Sequence, residues 1–350
     1  MTEKLLILLR NAIWGWNIRV ELTTKEFTDI LKLAEEQTVF GLVFDVLKGI
    51  PFEGMPNRKL IYQAIAHSEQ IKQQNGLLNK ELCTFVSECD KIGLDYFVVK
   101  GQTIACLYPH PELRQPGDID FLVAQIPQFL FDVAIPKSLP EKEYAFEHNG
   151  ITYELHTRLI DFGCKKHQSL WKDIIAREWT QKYYVDIDGV KVRTLSPTVN
   201  AVYLFLHLFF HLIREGVSLR QFCDWAIFLH RYHDAIDKQQ LAEIIKSLDM
   251  QNAYKAFGSI LVDELGLPES EFPLTLTDED RRRKKGILDD VFRGGNFGKL
   301  NHQAKSAIGF KIETMRMAIR NSIRYYKLAP SEMRMMIPKM IGINLRLLFN

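Results

Sequence analysis

Two acids one residue apart, Asp118 and Asp120, interrupt a run that otherwise reads as a buried strand, in the stretch VVKGQTIACLYPHPELRQPGDIDFLVA from Val98 to Ala124. On a strand, residues i and i+2 share a face, so the two carboxylates should project together, about 5 to 7 Å apart. Ile119, Phe121 and Val123 should then pack the other way. Like charges that close raise one pKa unless a cation compensates them. The chemistry best served is a divalent metal, Mg²⁺ or Mn²⁺, which takes one or two carboxylates and completes its shell with water and substrate phosphates. Two such ions about 3.5 to 4 Å apart stabilise both the attacking and the leaving oxygen in phosphoryl transfer.

A third acid is available in ITYELH, residues 151 to 156. Ile151, Tyr153 and Leu155 form its apolar face, which leaves Thr152, Glu154 and His156 on the other. Glu154 is therefore a candidate metal ligand and a candidate acceptor for a hydroxyl proton. His156 is either a contact to nucleotide or acceptor, or a solvent-side histidine. In VVKGQ, a glycine at a strand end lets backbone N–H groups approach a phosphate, and TIACLY behind it can present a helix start. Lys100, Gly101, Gln102 and Arg114 are the candidate triphosphate contacts, Arg114 as a planar fork and Lys100 as a point charge.

These residues need a sheet to hold them, and the chain supplies one between two helical regions. Residues 1–92 carry helical periodicity, as in TTKEFTDILKLAEEQTVFGLVFDVL, with a start near Thr24 and one or two long amphipathic helices ending near Gly93. Residues 93–195 are strand-rich, with hairpin turns expected at Asn149-Gly150 and Asp188-Gly189 and a short helix expected in IPQFLFDVAIP. Residues 196–350 return to helix, opened by Ser196 as N-cap and Pro197 at the first helical position. The fold class expected is α+β.

Gly101-Gln102, the loop to Asp118-Ile119-Asp120 and the later Glu154 resemble the nucleotidyltransferase superfamily that includes DNA polymerase beta. Its pattern is a Gly-Gly or Gly-Ser pair, an acid-hydrophobic-acid triplet and a third acid on a later strand. More narrowly, KGQTIACLYPHPELRQPGDIDFLV with YELH and LRQFCDWA is similar to a bacterial family described as uncharacterised nucleotidyltransferases. The resemblance implies a polymerase beta-like core and transfer of a nucleoside monophosphate from an NTP to an acceptor hydroxyl, with release of pyrophosphate. It implies Mg²⁺ or Mn²⁺ on Asp118, Asp120 and Glu154, and a phosphate-binding turn at Gly101 and Gln102. The acceptor could be a sugar, a small molecule, a protein or RNA. Gln102 stands where the superfamily has Gly or Ser, and 15 residues separate it from Asp118. That departure leaves room for an inactive nucleotide- or partner-binding protein; a further alternative, resting on the basic tail, is an RNA-binding accessory protein.

Composition bounds the rest. With 47% hydrophobic and 25% charged residues and a formal net charge of +2, the chain is of ordinary globular type and carries no global electrostatic message. Five scattered cysteines without a Cys-x-x-Cys pair indicate neither a disulfide framework nor a zinc knuckle, so a reducing, cytoplasmic setting is expected. No window reaches the roughly 18 to 20 apolar residues of a membrane span. His207 and His211 lie one helical turn apart but lack the glutamate of a zinc-protease motif, and read as hydrogen-bonded core-edge histidines. Arg281 to Lys285, RRRKK, reads as a solvated helix start. The tail from Lys311 holds eight Lys or Arg, two Glu and six of the nine Met. It reads first as helix packing with snorkelling cations, and otherwise as a weak membrane-surface or RNA contact.

Overall fold

Residues 1–50, 57–124, 129–130, 133–134, 143–295 and 307–349 are described by the structure, a computed structural model. They fall into two compact units, one of Met1–Glu35, Val39–Asp161 and Ile174–Ser196, the other of Glu36–Thr38, Phe162–Asp173 and Pro197–Asn350.

The first unit opens with helices α1 (Thr2–Trp14), α2 (Thr24–Glu36), α3 (Phe40–Leu47) and α4 (Arg58–Ile92). Thr23 caps α2: its N–H donates to Glu26 Oε2 at 2.9 Å, and the Glu26 N–H donates to Thr23 Oγ1 at 3.2 Å. This reciprocal pair satisfies two donors that a helix start leaves unpaired. The periodic stretch before Gly93 is a single helix of 35 residues, capped by Asn57 and ended by Gly93 in the left-handed region at φ 61°.

The sheet follows, with β1 (Tyr96–Val99), the one-turn helix α5 (Gln102–Ala105), β2 (Ile119–Val123), β3 (Phe129–Leu130), β4 (Val133–Ala134), β5 (Glu143–His148) and β6 (Ile151–His156). After α6 (Lys165–Glu178) come β7 (Tyr183–Ile187) and β8 (Val190–Thr194). Four strands form the order β1-β2-β6-β5, with β2 parallel to β6 and the outer pairings antiparallel. Both expected hairpin turns form. Asn149 and Gly150 have φ 51° and 74°, Asp188 and Gly189 φ 50° and 83°, the doubly positive geometry of a type I′ turn.

The helix expected in IPQFLFDVAIP is not found where the segment is described: Phe129–Leu130 pairs antiparallel with Val133–Ala134. Bulky and branched residues at those positions favour an extended pair. The other residues of that stretch lie outside the described residues.

Leu78, Leu82, Phe85, Val86 and Cys89 recur at three- and four-residue steps along α4 and form its apolar stripe. The stripe packs in one core with Val98, Ile119, Phe121, Val123, Tyr153 and Leu155 of the sheet, and with Val185 and Val192 of the β7–β8 hairpin. Phe85 is the hub, its ring 4.5 Å from Phe121 and 5.4 Å from Tyr96. Ile119, Phe121 and Val123 thus share one face of β2 as their alternation requires. The opposite face of β2 is buried too, and Asp120 lies on it.

The second unit is helical apart from its connections: α7 (Pro197–Arg214), α8 (Leu219–Tyr232), α9 (Lys238–Ser247), α10 (Gln251–Asp263), α11 (Asp278–Gly294), α12 (Ala307–Arg324) and α13 (Pro330–Phe349). Pro197 takes the first helical position of α7, which is buried along its length except at His207, His211 and Arg214. The RRRKK run lies at the start of α11 with Arg282 and Lys285 exposed, but its other members are paired with acids rather than simply solvated. Lys284 Nζ lies 2.7 Å from Asp263 and 2.8 Å from Glu264, and Arg281 binds Asp263 and Glu269, so the run fastens α11 to the acidic end of α10.

In the tail, Met333 and Met336 have no exposed surface, and Asn321 Nδ2 donates to the Leu212 carbonyl at 3.0 Å. Glu332, also fully buried, accepts from the Gly163 and Cys164 N–H groups and from His167 Nδ1. No helix among the described residues is long and apolar enough to cross a membrane.

Candidate metal centre

Strand register builds the centre. Asp120 pairs with Val99 of β1 on one side and with Glu154 of β6 on the other, and Glu154 pairs in turn with Ala145 of β5. Side chains on one rung point to one face, so the two carboxylates stand side by side with apolar neighbours at both ends. Two residues further along, Leu122 pairs with His156, and the imidazole reaches back to the acid: His156 Nε2 lies 2.8 Å from Asp120 Oδ1. It also lies 3.6 Å from Glu154 Oε2, and Nδ1 is 3.9 Å from Glu143 Oε2.

Asp120 is only 2% exposed, and it is neutralised from two directions. Lys100 Nζ, carried by the residue after β1, lies 2.8 Å from the same Oδ1 that His156 contacts. Burial alone would push the Asp120 carboxyl up, but the Lys100 ammonium and the His156 hydrogen bond outweigh it and hold the group below the usual carboxylate range. Glu154 has only the longer contact to His156 Nε2, at 3.6 Å, among the described residues. Burial and the charges of Asp120 and Asp118 push it up to about 8, against the opposing pull of Lys100.

The turn between β1 and α5 is left-handed at two successive residues, Lys100 at φ 58° and Gly101 at φ 46°. Gly101 combines that φ with ψ −123°, a region open essentially to glycine, and its α-carbon passes so close to β2 that a Cβ there would lie 3.2 Å from the Asp118 carbonyl oxygen. The glycine therefore sets the distance between the turn and the acidic strand. Gln102 is buried, and its side chain turns to α4, where Nε2 donates to Asn79 Oδ1 at 2.5 Å. Arg114 is 4% exposed in the loop before β2, a loop tied to α4 by Asn75 Nδ2, which donates to the Arg114 carbonyl at 2.8 Å.

Asp118 is half-buried and immediately precedes β2, near enough for its charge to act on Glu154. Among the described residues, the side chains whose ligand atoms lie within 4.8 Å of one another are Asp120, Glu154 and His156. That reach matches the shell of one ion. Two carboxylates suit Mg²⁺ and Mn²⁺ alike, while His156 Nε2 is engaged with Asp120 Oδ1. The solvent-side alternative for His156 does not hold, because the ring is 4% exposed. The alternation in ITYELH placed it on the face of Glu154, but only the parallel β2–β6 pairing brings it to Asp120. Elsewhere, the His207 and His211 rings lie 4.2 Å apart and His211 faces Glu215 at 3.3 Å; they form no metal-ligand group among the described residues.

A mixed four-stranded sheet backed by a long helix, with an acid–histidine cluster across its two central strands, defines an α+β protein built around a site suited to a divalent cation. Residues 23–262 match the model of a family described as uncharacterised nucleotidyltransferase, and the chain belongs to that family. No curated protein matches the chain. Among solved structures, an antigenic nucleotidyltransferase-like protein from Paracoccidioides brasiliensis is similar over 59% of this chain and 97% of its own, at 16% identity and a TM-score of 0.27.

Proposed function

We propose that this protein transfers a nucleoside monophosphate from an NTP to an acceptor hydroxyl, using a divalent cation held by Asp118, Asp120 and Glu154. The observation that carries the reading is the shared rung of Asp120 and Glu154 in a member of a nucleotidyltransferase family. The bound cation, Mg²⁺ or Mn²⁺, supplies positive charge for the phosphate oxygens and lowers the barrier to nucleophilic attack. Lys100, the tight Lys100–Gly101–Gln102 turn and Arg114 are assigned to the triphosphate. Glu154 is assigned to accept the proton of the acceptor hydroxyl, as a carboxylate that a bound cation would keep charged. As the acceptor oxygen bonds to the α-phosphorus, the bond to the bridging oxygen breaks and its electron pair leaves with pyrophosphate. The five cysteines are unpaired, which supports a reducing, cytoplasmic setting.

Calorimetric titration with ATP, GTP, CTP and UTP in the presence of Mg²⁺ or Mn²⁺, paired with a pyrophosphate-release assay over an acceptor panel, tests the proposal. Metal-dependent NTP binding that is lost in Asp118→Asn/Asp120→Asn supports it. Metal-independent binding, or equal binding by the variant, refutes it. Binding without pyrophosphate release would favour an inactive nucleotide-binding protein instead, a reading to which the inward-turned Gln102 lends some weight.

A further inference from the structure

The two cations on Asp120 bear on how many metal ions the centre takes. A two-ion site needs carboxylates that bridge, one oxygen to each ion, with the ions about 3.5 to 4 Å apart. Asp120 is the central acid of the rung, and both Lys100 Nζ and His156 Nε2 sit on one of its oxygens, Oδ1, each at 2.8 Å. A carboxylate oxygen accepts about two hydrogen bonds, so Oδ1 is filled by these two and Oδ2 is the atom left for a metal. Neither donor is loosely placed. His156 is 4% exposed, and the Lys100 side chain is 16% exposed and springs from a backbone in the left-handed region, next to the one glycine that permits the turn. Val99 and Ala145, the outer members of the rung, add no further carboxylate to Asp120 and Glu154.

We infer that this centre takes a single divalent cation, and that the Lys100 ammonium, fixed on Asp120, stands in the place of a second one. The inference rests on the proposal that Asp118, Asp120 and Glu154 bind a divalent cation at all. Lys100 then acts as a permanent positive charge beside the phosphates. It is a positioning residue for Asp120 as well, holding that carboxylate so that it presents Oδ2.

Mn²⁺ electron paramagnetic resonance on the full chain tests this, with and without a nonhydrolysable ATP analogue. Two Mn²⁺ ions at bridging distance couple magnetically and give a spectrum distinct from that of an isolated ion. Wild type is expected to bind one chain-held Mn²⁺ with an uncoupled signal under both conditions, and Lys100→Arg, which keeps the charge, should do the same. Lys100→Met is expected to admit a second ion and show the coupled spectrum. A coupled pair in wild type overturns the inference while leaving the metal-binding proposal standing. So does Lys100→Met that is folded by circular dichroism and still takes one ion. If wild type holds no Mn²⁺ under either condition, the metal-binding proposal itself fails and the inference falls with it. Should Lys100→Met not fold, the wild-type and Lys100→Arg spectra decide the question.

Discussion

Replacing Glu154 by glutamine should stabilise the metal-free protein in alkaline solution and leave it nearly unchanged in acid. The carboxyl is pushed from 4.5 up to about 8 by burial and by the charges of Asp120 and Asp118. A group whose folded pKa is raised binds a proton in the native state that the unfolded chain has already released. Native stability therefore falls as pH rises from about 4.5 to about 8, and levels off above that. At roughly 1.4 kcal/mol per pH unit, the whole shift corresponds to on the order of 5 kcal/mol. The side chain is 28% exposed, so water screens part of this and about 2 to 3 kcal/mol is the expected size. Glutamine mimics the protonated acid and carries no such slope. Urea denaturation of wild type and Glu154→Gln in chelator, at unit steps from pH 5 to pH 9, should give curves that coincide near pH 5 and diverge in favour of the variant up to about pH 8. Mn²⁺ should close the gap at high pH, because the ion favours the charged carboxylate that wild type alone possesses. Parallel curves across the range would show that Glu154 titrates as in the unfolded chain, and the convergence of acids argued above would be refuted.

Gly101→Ala should cost about 1 to 3 kcal/mol in urea denaturation, since alanine is strained at φ 46° and ψ −123° and its Cβ would press on the Asp118 carbonyl; an unchanged midpoint would show that the turn tolerates a side chain. Phe85→Ala should cost about 3 to 5 kcal/mol, because the ring has no exposed surface and links α4 to three strands. Less than about 1 kcal/mol would mean that the core between helix and sheet is not packed as described. Glu332→Ala strands two backbone N–H groups and His167, and should cost about 2 to 4 kcal/mol. Calorimetry should find its Mn²⁺ affinity at the wild-type value, since Glu332 is not a member of the acid–histidine group.

Features written into short stretches of chain were legible in the sequence. Gly93 ends α4, Asn149-Gly150 and Asp188-Gly189 make the hairpins, and Pro197 opens α7, each through a local backbone preference that needs no distant partner. The alternation of DIDFLV and ITYELH likewise fixed which residues share a face. Pairings between distant segments were not legible. Nothing local says that β2 runs parallel to β6, and so nothing local shows that His156 is buried against Asp120 or that Lys100 turns back onto the same oxygen. RRRKK read as solvated for the same reason, its partners Asp263 and Glu264 lying on another helix. FLFDVA is too short to show a period, and its described residues pair as strands rather than forming a helix.

The parallel rung between β2 and β6 also bears on how the molecule is made. Asp120 and His156 are 36 residues apart, with the whole β5–β6 hairpin between them, so their contact closes a long loop whose entropy must be spent before any of its bonds return stability. The same closing step brings Asp120 and Glu154 together, two carboxylates whose charges oppose each other. A nascent chain that has emerged only as far as β5 holds one half of the centre and no counterpart. The pairing that completes the sheet is thus also the one that completes the centre.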